Sequence, residues 1–124
     1  MLSSVDLSNV MSLDARRLSS GQRQRLALAR ALALEPRTLF LDEPFANVDA
    51  DGRPGLRELV REYIARSDCA LVLATQNLAD VTTLCKKAMV LEDGVPIEML
   101  DVSAIETSRN PYLQAIVCES RLLP

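Results

Sequence analysis

The hydrophobic pattern is most regular between residues 18 and 49. Alanine and leucine fill most positions from Leu26 to Ala33, and arginines interrupt them, which predicts an amphipathic helix. Ser19 or Ser20 can cap this helix, because a side-chain oxygen there accepts a hydrogen bond from an unpaired N–H group. The helix is expected to end at Glu35, since a residue that precedes a proline avoids helical backbone angles.

Shorter apolar runs predict strands further along the chain. The run 38–41 predicts a strand buried on both faces, and 69–75 predicts a second buried strand. The run 88–91 predicts a third strand, and the Asp93-Gly94 turn joins it to 95–99 as a hairpin. Pro96 marks this last strand as an edge, because a proline cannot donate to a neighbouring strand.

Helical spacing accounts for most of the remaining apolar residues. A helix is expected after Pro54, another from Leu78 to Leu84 with Asn77 as its cap, and two short helices after position 101. We expect the last helix to open at Asn110-Pro111 and Cys118 to pack within it. The pattern before position 18 is weak, and one possible helical face there comprises Val5, Leu7, Val10, Met11 and Leu13.

Composition narrows the class of protein. A chain of 124 residues forms one domain at most, and its net charge of −3 argues against general nucleic-acid affinity. Cys69, Cys85 and Cys118 form no metal-binding or disulfide pattern, which indicates a reducing cytosol. The apolar segment in the first helix is too short to cross a bilayer and contains Arg30. Any membrane association is therefore expected to run through a partner.

The ends of the predicted elements carry the candidate chemistry. The first helix would present unpaired N–H groups and a partial positive charge to an anion such as phosphate, and Gly21 would allow close backbone approach. At the end of the first strand, Asp42 could hold Mg²⁺ and Glu43 could deprotonate an attacking water. Each feature alone is usual in a helix cap or a solvated turn. Their order and close spacing favour phosphate and metal chemistry.

These residues resemble the signature, Walker B and D-loop block of ATP-binding-cassette (ABC) ATPases. The segment 18–22 (LSSGQ) is similar to the signature, with Ser20 where the first glycine normally stands. The segment 39–43 is similar to Walker B, and Asn47–Asp49 is similar to the D-loop. The Asp-Glu-Pro-Phe sequence that starts at Asp42 looks more like importer ATPases than other branches of the family.

The resemblance implies an α/β fold, namely a partial P-loop NTPase sheet of mainly parallel strands with flanking helices. The phosphate-loop strand is expected to be missing, because none of the four glycines in this sequence precedes a lysine. Residues 1–124 are thus expected to form the C-terminal portion of one ABC ATPase domain. Within it, 1–37 would hold the signature helix, 38–100 Walker B and the following strands, and 101–124 the C-terminal helices.

The resemblance also implies a role for each matching residue. Glu43 is expected to be catalytic and Asp42 to hold Mg²⁺, and the expected nucleotide contacts are Ser19, Ser20, Gly21, Gln22, Asp49 and Gln76. ATP and Mg²⁺ would bind only with a partner that supplies the phosphate loop. That partner would be a second ABC ATPase subunit or a complementary N-terminal half, and a transmembrane permease would hold the assembly at the cytoplasmic face of the membrane.

Two departures from the family pattern affect the expected activity. Gln76 stands where the family usually has a histidine, and glutamine cannot carry a proton or a positive charge. Gly52, Pro54 and Gly55 follow the D-loop, which predicts a looser D-loop. We expect no ATP hydrolysis from the lone chain.

Three hypotheses remain open from the sequence. The chain is a portion of an importer-type ABC ATPase, or a non-catalytic module that lends its signature in trans to a complete ATPase. The third places it among DNA-repair ATPases that share the signature. Its support is an arginine cluster, and the lack of coiled-coil heptads argues against it.

Overall fold

The computed structural model describes residues 14–122, and it divides the chain into two compact units that meet in sequence between Ala74 and Thr75. The possible helical face formed by Val5, Leu7, Val10, Met11 and Leu13 lies outside the described residues. Each unit is described by itself.

The first unit contains two helices and two strands. After a 3₁₀ turn at Ala15–Arg17 come helix α1 (Ser20–Ala33), strand β1 (Thr38–Asp42), helix α2 (Arg53–Arg66) and strand β2 (Ala70–Ala74). Strands β1 and β2 pair in parallel, in a register that runs from Thr38 opposite Ala70 to Asp42 opposite Ala74. The buried apolar side chains of this unit are Leu18, Leu28, Ala29, Leu32, Leu39, Leu41, Phe45, Val48, Leu56, Val60 and Cys69.

The parallel pair is covered on one face, so the prediction of strands buried on both faces is wrong. Leu39 and Leu41 point into the core with the apolar residues of α1 and α2. Phe40 and Val72 are directly opposite each other in the register, and their side chains are 73% and 49% exposed. Successive side chains of a strand point to opposite faces of the sheet. The continuous apolar run therefore puts apolar side chains on the second face as well, and no described element of this unit covers that face.

The second unit contains an antiparallel hairpin and two helices. Its elements are helix α3 (Leu78–Leu84), strand β3 (Lys87–Glu92), strand β4 (Val95–Asp101), a 3₁₀ segment at Val102–Thr107 and helix α4 (Pro111–Leu122). The core of this unit is formed by Val90, Ile105, Leu113 and Val117.

The hairpin turn at Asp93-Gly94 is confirmed. Both residues adopt left-handed φ angles, 50° and 77°, which the tightest hairpin turns require. The pairing register shifts between Val90 and Leu91, and Pro96 sits opposite Leu91, just past this irregularity. Since the sheet has two strands, β4 lies at an edge, as Pro96 predicts.

The α/β class expected from the resemblance is confirmed. Its strands are distributed as one parallel pair and one antiparallel pair, each with its own helices. Cys118 is exposed, so its predicted packing role is wrong. Leu113 and Val117 are four residues apart and share the buried face of α4, whereas Cys118 is rotated by about 100° from Val117.

Candidate functional site

The turn that opens α1 is closed by a reciprocal pair of hydrogen bonds. The Ser19 hydroxyl oxygen accepts from the Gln22 N–H at 3.1 Å, and the Gln22 side-chain oxygen accepts from the Ser19 N–H at 2.9 Å. Ser19, rather than Ser20, is therefore the cap. The Arg23 N–H donates to the Ser19 carbonyl, so the N–H groups of Ser20 and Gly21 precede the first intrahelical bond. This end of α1 has the polarity that suits an anion.

Gly21 lies directly against the D-loop. A β-carbon built on Gly21 would be 2.8 Å from the carbonyl oxygen of Asn47 and 3.9 Å from the Cα of Val48. The sequence indicated that Gly21 leaves room for an anion. The structure adds a second reason for glycine, because the backbone of the D-loop occupies the space that any other residue would need.

Glu43 adopts an uncommon backbone conformation that its neighbours hold in place. Its φ angle is 41°, in the left-handed region that few residues with a side chain adopt. Its N–H donates to the Ala74 carbonyl at 2.9 Å, and its own carbonyl accepts from Gln24 Nε2 and from the Ala46 N–H, both at 3.2 Å. Strain of this kind persists where surrounding contacts fix the chain, and it clusters at functional sites.

The two candidate carboxylates are adjacent at the carboxyl end of the parallel pair. Asp42 is the last residue of β1 and is exposed, and Glu43 is half-buried. Ligands of open α/β sheets bind beyond the carboxyl ends of the strands, so the position of both residues agrees with the predicted chemistry.

The backbone of the D-loop is well anchored. Phe45 and Val48 are buried, and the Asp49 carbonyl accepts from the N–H groups of Gly52 and Arg53 at 2.9 and 3.1 Å. These contacts hold the D-loop backbone at both ends, and the looser D-loop expected from the sequence stays a prediction. The unusual Gly52 continues the hydrogen bonding between the D-loop and α2.

Gln76 belongs to the second unit, whereas the other candidate residues belong to the first. The Thr75 hydroxyl accepts from the Asn77 N–H at 3.1 Å and donates to an Asp80 carboxylate oxygen at 3.2 Å. Asn77 caps α3 as predicted, because its side-chain oxygen accepts from the Ala79 N–H at 2.9 Å. Gln76 thus lies between two residues of a local hydrogen-bonded network.

Sequence reasoning missed that Asp80 is buried. Its residue surface is 2% exposed, which is rare for a carboxylate. The sequence placed Asp80 in the first turn of α3, where an acid is common. The signal that could have found it is the threonine five residues earlier, at the end of a strand.

The fit to a metal ion is partial. Residues 14–122 contain no group of three or more histidine, cysteine, aspartate or glutamate side chains placed to hold a metal. Asp42, the predicted Mg²⁺ ligand, would thus supply only a part of a ligand shell. This agrees with Mg²⁺ shared with nucleotide phosphates, which usually needs one or two carboxylates.

No helix in the described part of the chain is long and apolar enough to cross a membrane.

The sequence of this chain is similar to a known family and to several known proteins. The family model described as "ABC transporter" matches residues 1–46. The chain is 47% identical over 93 residues to the molybdenum import ATP-binding protein ModC of Mycobacterium tuberculosis, which covers 75% of the chain and 25% of ModC. It is 36% identical over 125 residues to the sulfate/thiosulfate import ATP-binding protein CysA 1 of Agrobacterium fabrum. That match covers 97% of the chain and 36% of the relative.

A third relative, from Chlorella vulgaris, is a probable sulfate/thiosulfate import ATP-binding protein. It is 45% identical over 94 residues, which covers 76% of the chain and 39% of the relative. The matches thus span between a quarter and two fifths of these relatives' length. The chain belongs to the ABC transporter family, and within that family it resembles the ATP-binding proteins of importers.

Proposed function

We propose that this chain forms part of the ATP-hydrolysing subunit of an ABC importer, and that the phosphate loop comes from polypeptide outside it. The observation that carries the proposal is the junction of three motifs in the first unit. The start of α1, the end of β1 and the D-loop are linked by the Gln24–Glu43 hydrogen bond and by the Gly21–Asn47 packing.

In this proposal the carboxylates serve nucleotide held by the chain's own ATPase subunit. Asp42, at the strand end, would help to hold Mg²⁺, and Glu43 would accept a proton from the attacking water. ATP with Mg²⁺ supplies the phosphoryl group when it is bound. The fixed backbone of Glu43 restricts where its carboxylate can reach, so the side chain would need little reorganisation to face the water.

The signature residues would act on nucleotide held by a second ATPase subunit. Ser19, Ser20, Gly21 and Gln22 would present the positive end of α1 to that nucleotide, with Asp49 beside them. The role of Gln76, in the second unit, is proposed separately from the family pattern alone: its amide would donate a hydrogen bond to a terminal phosphate in place of the usual histidine. The capping box occupies the Ser19 hydroxyl and the Gln22 side-chain oxygen. In both bonds these oxygens only accept, so the Ser19 O–H and the Gln22 NH₂ group would still donate to the nucleotide, together with the backbone N–H groups of Ser20 and Gly21.

The partners in this proposal are a second ATPase subunit and a membrane permease. The permease would hold the chain at the cytoplasmic face of the membrane. The names of the relatives support sulfate, thiosulfate or molybdenum as the imported material.

A second candidate function is a non-catalytic module that lends its signature in trans. Gln76 at the usual histidine position favours it, because glutamine can donate a hydrogen bond there but cannot carry a proton or a positive charge.

Calorimetric titration with Mg·ATP tests the main proposal. The lone chain should show no saturable binding at micromolar nucleotide. Addition of a complementary N-terminal ABC ATPase portion that contains a phosphate loop should create binding and hydrolysis. Micromolar affinity of the lone chain would overturn the proposal that the phosphate loop is external. Hydrolysis that appears only with a complete ATPase, and that does not depend on Glu43, would support the second candidate.

A further inference from the structure

We propose that Arg53 is a positioning residue for the D-loop, holding Asn47 and Asp49 in the arrangement that a partner's nucleotide would meet. The functional part of this inference rests on the proposed function above. Its structural part concerns the first unit alone and can be tested without nucleotide.

The side chain of Arg53 reaches back from the first residue of α2 to the D-loop. Its Nε donates to the Val48 carbonyl at 2.9 Å, and its Nη2 donates to the Ala46 carbonyl at 3.3 Å. A guanidinium group suits this task, because its donors are held in a rigid planar fork. It also keeps its charge at every pH at which proteins stay folded. The two bonded carbonyls flank Asn47 in sequence.

The opposite side of the same backbone is held by α1. The Asn47 carbonyl packs against Gly21, so it lies between two carbonyls that face Arg53. The D-loop is thus held on one side by hydrogen bonds and on the other by close packing. Removing the guanidinium would release one side and leave the other intact, which allows Asn47 and Asp49 to shift.

Arg53 is itself fixed in position. Its N–H donates to the Asp49 carbonyl at 3.1 Å, and the following Pro54 restricts the backbone at the start of α2. Gly52 precedes Arg53, and its N–H donates to the same Asp49 carbonyl at 2.9 Å. The glycine and proline that depart from the family pattern therefore flank Arg53 in the segment that joins the D-loop to α2.

The first test is amide hydrogen exchange on the full chain, followed by NMR. The Ala46 and Val48 N–H groups report on the loop, because they donate to the carbonyls of Glu43 and Phe45. Arg53→Met removes the donors but keeps much of the side-chain volume. It should speed exchange of both amides by about tenfold or more, since a hydrogen bond from a charged group contributes about 1.5–3 kcal/mol. Amides within α1 should exchange at unchanged rates.

Matched variants distinguish a local effect at the D-loop from a general loss of stability. Arg61→Met is the control, because Arg61 lies on the same helix and pairs with Glu58 on an exposed surface. It should leave the exchange of Ala46 and Val48 unchanged. Arg53→Lys retains a charged donor and should restore part of the protection. If Arg53→Met does not fold, the Arg53→Lys variant decides alone. Wild-type exchange of the Ala46 and Val48 amides in that variant would show that the guanidinium fork is not needed, and faster exchange would show that it is.

The second test is turnover of the chain reconstituted with a complementary N-terminal ABC ATPase portion that contains a phosphate loop. Arg53→Met should lower kcat by about tenfold and leave KM for ATP within about twofold, the pattern expected when transition-state contacts are lost. Arg53→Lys should recover part of the kcat. Unchanged amide exchange together with unchanged kcat would overturn this inference. Absence of turnover in the wild-type complex would count against the proposed function instead, and the exchange result would still decide whether Arg53 holds the loop.

Discussion

The carbonyl oxygen of Asn47 lies 2.8 Å from the position that a β-carbon would occupy on Gly21. This contact joins the signature turn to the D-loop within the first unit. It places two motifs that are far apart in sequence under one steric constraint. A substitution in one motif should therefore shift the backbone of the other.

Gly21→Ala should destabilise the chain by about 1–3 kcal/mol, because the added methyl group forces the D-loop backbone away from α1. Gly55→Ala is the matched control. Nothing lies within 4 Å of a β-carbon at Gly55, which is inside α2, so alanine there should stabilise by about 0.4–1 kcal/mol. Urea unfolding followed by circular dichroism measures both. Equal effects of the two variants would contradict the contact.

Ser19→Ala should cost about 0.5–2 kcal/mol, because the Gln22 N–H loses its acceptor at the start of α1. Ser19→Asp should retain most of the stability, since aspartate is also a good cap and its charge favours a helix N-terminus. Thermal unfolding of the two variants provides the measurement. A Ser19→Asp variant as unstable as Ser19→Ala would argue against the capping box.

Glu43→Gln should abolish most ATP hydrolysis in the reconstituted complex while nucleotide binding persists, because glutamine cannot accept the proton from water. Glu92→Gln is the control, since Glu92 is an exposed residue at the end of β3. Phosphate release measured at saturating ATP compares the two. Undiminished turnover in the Glu43 variant would remove Glu43 from the base role.

Phe40→Ala should change stability by about 0.5 kcal/mol or less and should reduce aggregation, because the ring is largely exposed. Leu39→Ala, one residue earlier on the buried face, should cost about 2–5 kcal/mol. Chemical unfolding combined with light scattering separates the two effects. A large loss of stability in the Phe40 variant would show that its face is covered in solution.

The three cysteines should react with iodoacetamide in the order Cys118, Cys85, Cys69. Cys118 is exposed and Cys69 is buried. Burial raises the pKa of the Cys85 thiol, so at a given pH below that pKa a smaller fraction is the reactive thiolate. The Cys85 rate should therefore keep rising as pH increases beyond the usual thiol range. Mass spectrometry of timed samples gives the three rates, and fastest labelling at Cys69 would contradict the structure.

The elements of the fold could be predicted from local signals. The Ser19 cap, Pro36, Pro54, the Asn77 cap and the Asp93-Gly94 turn each act on neighbouring backbone, so their effects are visible in sequence. Burial of both faces of β1 could not be judged this way. An apolar run shows that two faces can be covered, but the element that covers a face is separate in sequence and leaves no local signal.

The same distinction applies to the candidate site. The adjacent carboxylates and the helix start were predicted, because each occupies the end of one element. The Gly21–Asn47 contact, the bonds from Arg53 and the burial of Asp80 depend on how separate segments pack. No local pattern specifies such packing, so these contacts could not be predicted from the sequence.

The capping box has a consequence for how a partner would dock. Ser19 and Gln22 bond to each other, so the start of α1 is held by hydrogen bonds within the chain itself. A preorganised surface loses little conformational entropy on association. Its association rate is therefore set by diffusion and orientation, because no folding step has to precede binding. In the proposed assembly, the start of α1 would therefore need little rearrangement when a second ATPase subunit binds.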